Sequence, residues 1–275
     1  MTNFAITDNL NWTVERRQLS YPSADGSLKP YFDRVAIVRS DNDVCLGVVS
    51  PDYETVQNDV LLSKINPLVE EGLLEIETMG YLRDGANVFI QAKIAKEFRV
   101  LGEDYSSYIT LLNGHTGLAP VSLGTSTVRV ICNNTFVMAN RDLSSKFKHY
   151  KGVNDKVLES QEVLEYVNNA MTIYASKVET LASKTCTEAN FHKAVTKIYG
   201  KEAKDLRHIE QLNNLFYNGT GTEGKTYYDA FNAITEYGSH KSRRSREGCF
   251  NYTNFGAGVK INKTAMSVLT EFASV

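Results

Sequence analysis

The chain has 275 residues, 42% hydrophobic and 23% charged, enough for one large domain or two small ones with a core that needs no staples. Its 30 basic and 32 acidic side chains leave a formal net charge of -2, so only local clusters, not a global field, can draw it to nucleic acid or membrane. Cys45, Cys132, Cys186 and Cys249 stand far apart with no CxxC pair, which excludes a zinc knuckle and a redox motif. The opening MTNFAITDNLNW has neither a basic flank nor an apolar core, and no run is long enough to span a bilayer. The expected setting is therefore cytoplasmic and reducing, with no membrane partner.

In chain order, Val35–Arg39 and Val44–Val49 are β-branched runs around the turn cluster Ser40-Asp41-Asn42-Asp43, and Thr55–Gln57 extends that sheet. Asn58 caps a short helix through Leu62 and Ile65, disturbed by Pro67 and finished near Gly72. Leu74–Leu82 and Asn87–Ile94 form a second hairpin about the Asp-Gly turn of Arg83-Asp84-Gly85-Ala86. Within its second strand Val88, Ile90 and Ala92 alternate against Phe89, Gln91 and Lys93. Two more strands, Tyr108–Leu112 and Thr127–Cys132, flank the glycine-bounded loop that holds His115, and Asn133-Asn134-Thr135 caps a helix through Phe136, Met138 and Leu143.

The second half reads as helical. Val157, Leu164, Met171 and Val178 form one heptad row, and Ser160, Val167, Tyr174 and Leu181 the other. Such a helix either packs on the sheet or forms a seam between subunits. Thr185 and Glu188 have capping-box spacing ahead of a helix that Gly200 ends, and Lys201–Tyr217 carries Leu206, Ile209, Leu212 and Phe216 at helical intervals. The expected class is α+β: an antiparallel β-rich half, residues 1–150, then a helical region, 151–275, packed on it as one globular unit, with Lys151–Asp155 as the seam.

Gly219–Thr226 matches the phosphate-loop pattern G-x-x-x-x-G-K-[ST]. A working loop needs a buried strand before it, and Leu212–Asn218 reads as the end of a helix. Only about fifty residues follow, with no strand ending in a magnesium-binding aspartate. Glu223 would also put a negative charge inside the cradle. A glycine-rich loop ahead of a helix is the better reading, and no cofactor is expected.

The next helix, Tyr227–His240, has an apolar face of Tyr227, Ala230, Phe231, Ile234 and Tyr237, and a second face of Asp229, Asn232, Glu236 and His240. That second face reads as solvated, with Glu236 and His240 as its i,i+4 pair. Lys241, Arg243, Arg244 and Arg246 then crowd into six residues, where mutual repulsion calls for water or an anion. Phe250, Tyr252 and Phe255 follow, a pattern that suits stacking on unpaired bases or core packing. A second basic group comprises Arg141, Lys146, Lys148, His149 and Lys151, and Arg129 alternates within a strand.

LGVVSPDYETVQN, ETMGYLRDGANVFIQAKI, YITLLNGHTG, VRVICNNTF and GKTYYDAFNAITEYGSH occur in that order over most of the chain, which on these segments resembles the phage/plasmid-like family of proteins of unknown function. The resemblance implies a gene of phages and plasmids near replication and recombination functions. Family members often carry aspartate after the histidine of the HTG-like motif where this chain has Thr116, a departure that weakens an acid-base role for the loop. The element order is also similar to Rad52-type single-strand annealing proteins, an analogy of fold.

The functional expectation is a nucleic-acid-binding protein of phage or mobile-element origin that binds or anneals single-stranded DNA in the host cytoplasm. Arg129, Lys146, Lys148, Lys151, Lys241, Arg243, Arg244 and Arg246 would hold the backbone, and the heptad helix would make a homo-oligomer. One alternative is a metal-dependent nuclease or hydrolase around His115, Glu236 and His240. The other is a phage factor that binds and inhibits a host defence protein.

Overall fold

The computed structural model of the chain describes residues 4–6, 10–96, 98–129, 134–138, 146–147, 149, 160–202, 205 and 207–274, with 4–6, 129, 134–138, 146–147 and 160–164 described by backbone alone. The fold is α+β, antiparallel sheet in the N-terminal half and helices in the C-terminal half. Two compact units share the chain. One takes Met1–Ala95, Ile109–Gly124 and Arg141–Glu165, and the other Lys96–Tyr108, Thr125–Asn140 and Tyr166–Val275. Residues 151–155 lie outside the described part.

In the first unit, strands β2 (Val14–Pro22), β3 (Leu28–Arg39) and β4 (Cys45–Val49) form an antiparallel three-stranded sheet. Residues 55–57 do not extend it. Instead the Gln57 carboxamide accepts from the Val14 N–H and donates to the Val14 carbonyl, both at 2.9 Å, so a side chain pairs with this strand where the sequence suggests backbone. Strand β1 (Phe4–Ile6) pairs with β5 (Leu74–Leu82), which forms the expected hairpin with β6 (Asn87–Ile94). Val88 to Ala92 are all buried, so this strand is covered on both faces and its alternation does not mark a wet side.

The hairpin turn uses positive φ at Arg83 (53°), Asp84 (59°) and Gly85 (107°). A Cβ on Gly85 would stand 3.0 Å from both Arg39 Cδ and Trp12 Cη2, so glycine is required twice over, by conformation and by space. Arg39 is itself buried, its guanidinium 4.1 Å over the Trp12 ring, bound through Nε and Nη2 to Asp41 and through Nη1 to the Asp84 carbonyl.

Helix α1 (Asn58–Glu70) packs Leu61, Ile65 and Leu68 against β5 and β6. Its N-cap position is Gln57, not Asn58. The Asn58 carboxamide is buried and donates to the carbonyls of Leu10 (3.3 Å) and Trp12 (2.9 Å), which makes it a tertiary tie.

Strands β7 (Phe98–Val100), β8 (Glu103–Gly114), β9 (Val121–Arg129), β10 (Asn134–Met138) and β11 (Lys146–Phe147) complete the larger sheet, ordered β1-β5-β6-β8-β9-β10 with β7 on β8 and β11 on β9. The segment 134–138 is a strand where Asn133-Asn134-Thr135 predicted a helix cap. It pairs Asn134↔Arg129 through Met138↔Thr125. A pair of asparagines serves a hairpin turn as readily as a helix start, and Thr135, Phe136 and Val137 favour a strand.

The second unit is built on α2 (Ser160–Ala182) from Tyr166 onward, α3 (Glu188–Tyr199), α4 (Ile209–Asn218), α5 (Tyr227–Glu236), α6 (Arg246–Asn254) and α7 (Ala257–Ala273). On α2 the heptad residues Val167, Met171, Tyr174, Val178 and Leu181 are buried within the chain, with the Tyr174 ring 5.7 Å from Tyr105. Those five are spent on the chain's own core, while the side chains of Val157, Ser160 and Leu164 lie outside the described residues. Helix α3 starts from Thr187, whose hydroxyl accepts from the Asn190 N–H, two residues beyond the cap read from spacing; Gly200 ends it at φ 67° as expected. Helix α4 begins at Ile209 and buries Leu212, Leu215 and Phe216.

Candidate functional site

The expectation that Asp229, Asn232 and Glu236 line a solvated face is overturned. They are 7%, 3% and 9% exposed, on a helix buried all round. The two carboxylates find their partners in the chain's own loop. The Asp229 carboxylate accepts from the N–H groups of Lys225 (3.0 Å), Thr226 (2.9 Å) and Glu223 (3.4 Å), and from the Thr226 hydroxyl (3.0 Å). Thr226 Oγ1 in turn accepts from the Asp229 N–H, which completes a capping box. At the last residue of α5, Glu236 Oε2 accepts from the Thr220 N–H at 3.2 Å.

Two carboxylates thus occupy the amides that a phosphate would need. Helix α4, not a strand, precedes the loop, and the Lys225 ammonium pairs with Glu223 at 2.6 Å in solvent. A nucleotide phosphate placed there would meet two negative charges and no free donors on these residues. The spacing Thr226-x-x-Asp229 is the signal from which the cap was legible.

After Glu236 the helix widens into a π turn, Tyr237–Lys241. Gly238 sits inside it, buried, with Thr253, Tyr252 and Asn262 within 4 Å of where a Cβ would stand. Lys241 ends that turn, Arg243 and Arg244 follow on the short link, and Arg246 opens α6, all four exposed. Ser245 closes that link by capping α6, its hydroxyl accepting from the Gly248 N–H at 3.0 Å. Among the described residues none of the four cations is paired with a carboxylate. Arg243 lies 4.4 Å over the Tyr252 ring. The aromatics expected beside the cluster are half-buried, with Phe250 and Phe255 packed edge to face at 6.0 Å.

The other expected contacts are distributed differently. Arg129 ends β9 opposite Asn134, and Lys146 opens β11 opposite Ser122; both are described by backbone only. Lys148 and Lys151 lie outside the described residues. Arg129 belongs to the second unit with the basic turn, and Lys146 to the first.

Glu236 is committed to the loop, and His240 is exposed at the end of the π turn. His115 is fully buried, its Nε2–H directed at Asn58 Oδ1 (3.3 Å) and its ring edge-on to Trp12 at 5.7 Å. Burial, with smaller contributions from His149 and Arg39, pushes its pKa down to about 3. A base that weak holds no proton near neutrality, which argues against an acid-base role. Among the described residues no three His, Cys, Asp or Glu side chains are placed to hold a metal ion. Cys186 is buried, with its pKa pushed up to about 12 by burial and by the Asp229 charge, so it is no nucleophile.

His115 makes a pH prediction. Its folded pKa lies below the unfolded value of 6.5, so its contribution is complete above pH 6.5 and is lost as pH falls toward 3. Stability is expected to fall by about 1.4 kcal/mol per pH unit in that window from this residue. His149 and His208, both depressed by burial, act in the same sense. Urea unfolding of the wild type and of His115→Gln between these pH values checks it, the variant showing the shallower slope.

No solved structure matches the chain. Over 84 residues, 28% of this chain, it is 34% identical to Exportin-T of Aspergillus terreus, of whose length the chain spans 8%. A match of that extent shows neither fold nor activity. No helix among the described residues is long and apolar enough to cross a membrane. The family described as Domain of unknown function (DUF932) matches residues 45–264, four-fifths of the sequence, and the chain belongs to that family.

Proposed function

We propose that the chain binds single-stranded nucleic acid through the basic turn Lys241–Arg246 and serves strand annealing or a related step in the replication or recombination of a phage or other mobile element. The observation that carries the reading is the state of those four side chains. They are exposed, crowded within six residues and unneutralised by carboxylates among the described residues, on a protein whose overall charge is -2. Such a cluster is stabilised when phosphates replace its counterions. The resemblance of the sequence to phage and plasmid proteins supports the biological setting.

The mechanism is physical. Guanidinium and ammonium groups hold the backbone and leave base edges free to pair. Fluorescence anisotropy with labelled single-stranded and duplex oligonucleotides, over a series of salt concentrations and with or without magnesium, tests it. The expected result is tighter binding of the single strand, a steep linear fall of log affinity with log salt, and intact oligonucleotide at the end. Affinity that does not respond to salt, or no binding at all, would overturn it.

A further inference from the structure

The β2–β3 hairpin is an arm. Between residues 15 and 34 only Leu19 and Ser23 are half-buried, and everything else is exposed. A two-stranded ribbon with no layer over it is marginal in water, yet this one displays Leu28 and Phe32 at 73% and 72% exposure, with Tyr21 and Tyr31 at 50% and 44%. The register puts Leu19 and Tyr21 on one face with Tyr31 and Lys29, and Ser20 and Pro22 on the other with Pro30 and Leu28. Proline on each strand removes an N–H, so the arm's edges are poor templates for strand addition and its contacts must come from faces and tip. From residue 15 to 34 it carries three acids, Glu15, Asp25 and Asp33, and four bases, Arg16, Arg17, Lys29 and Arg34, and the distal part from residue 19 is balanced. Nearly neutral and apolar toward its tip, it suits a protein surface better than a polyanion.

The same unit holds a matching recess. An open cleft of about 500 Å³ is lined by Arg34, Val48, Tyr53, Leu118, Pro120 and His149. Leu118 and Val48 at its rim are 88% and 51% exposed, and Arg34 offers a guanidinium that no described carboxylate neutralises. The arm's tip is slim: Ser23-Ala24-Asp25-Gly26-Ser27 closes through Ser23 N–H to the Ser27 carbonyl at 2.7 Å, with Gly26 at φ 80°. Asp25 stands exposed on it, its Oδ1 accepting from the Ser27 N–H at 2.9 Å and the Ser27 hydroxyl at 2.6 Å. Arg34 lies six residues along β3 from Leu28, about 20 Å of strand, so a tip cannot fold back into its own cleft.

We infer that the arm tip of one copy seats in the cleft of the next, Asp25 against Arg34 and Leu28 against Val48 and Leu118. Arm and cleft are different surfaces, so the contact is head-to-tail and propagates to a ring or a filament.

Charge reversal tests this on the full chain by mass photometry and sedimentation. The wild type is expected to form assemblies larger than a dimer. Asp25→Lys and Arg34→Glu should each weaken association roughly tenfold or more. Joined in one chain they restore opposite charges across every contact, and the assembly should return. Both substituted side chains are exposed. Because Asp25 also accepts from Ser27 within the turn, unchanged circular dichroism is required of each variant, and the return of assembly in the double variant separates charge from a loosened turn. A monomeric wild type, single variants that still assemble, or a double variant that stays dissociated would overturn the inference. So would a Leu28→Ser variant that loses oligonucleotide affinity with no change in mass, which would place nucleic acid on the arm instead.

Discussion

Asp229→Ala is expected to lower the stability of the chain by about 3 kcal/mol, because it strips an ionised acceptor from a buried site and leaves several donors unmet. The carboxylate serves the amides of Glu223, Lys225 and Thr226 and the Thr226 hydroxyl at once. Its removal also breaks the reciprocal cap of α5, worth about 1 kcal/mol on its own. In a protein of this size the loss corresponds to a fall in melting temperature of about 6–12 °C. Asp229→Asn keeps one acceptor oxygen and the shape, so it should fall between alanine and wild type. A melting temperature unchanged by Asp229→Ala would show that the loop is held by something other than this network.

The second large effect concerns binding. Replacing Arg243, Arg244 and Arg246 together by alanine removes up to three phosphate contacts. The slope of log affinity against log salt for a single strand should become shallower by roughly 2, since each neutralised phosphate contributes about 0.7. The affinity itself should drop most at low salt and converge with the wild type at high salt. Arg243 also lies over Tyr252, so the triple variant forfeits a cation–π contact of about 1 kcal/mol in stability. Arg244→Ala with Arg246→Ala leaves that contact intact and separates binding from folding. An unchanged salt slope in both variants would exclude the turn as the phosphate site.

The sequence made the hairpins legible where polar turn residues stand between β-branched runs, as at Ser40–Asp43 and Asp84-Gly85. It did not reveal the arm. Residues 15–34 are wet on both faces, so no period-two pattern forms for a reader to find. Residues 134–138 mislead for a different reason: consecutive asparagines satisfy the chemistry of a helix cap and of a turn alike. The polar stripe on α5 failed as a solvent marker because periodicity reports only that a face wants hydrogen bonds. Whether water or a neighbouring loop supplies them depends on the fold, and here Gly219–Thr226 supplies them to Asp229 and Glu236. The exposure of the basic turn was legible because four cations in six residues repel one another unless solvated or met by an anion, whereas the stacking of Arg243 on Tyr252 was not. Its π-turn support was not, since a widened helical turn leaves no signature of composition.

Strands β8 and β9 each begin in one compact unit and end in the other, so neither unit is a contiguous stretch of chain. No single cut in the gene releases either one whole, and truncation near the middle would strip strands from both. Neither a front nor a back fragment is therefore expected to fold as a complete unit.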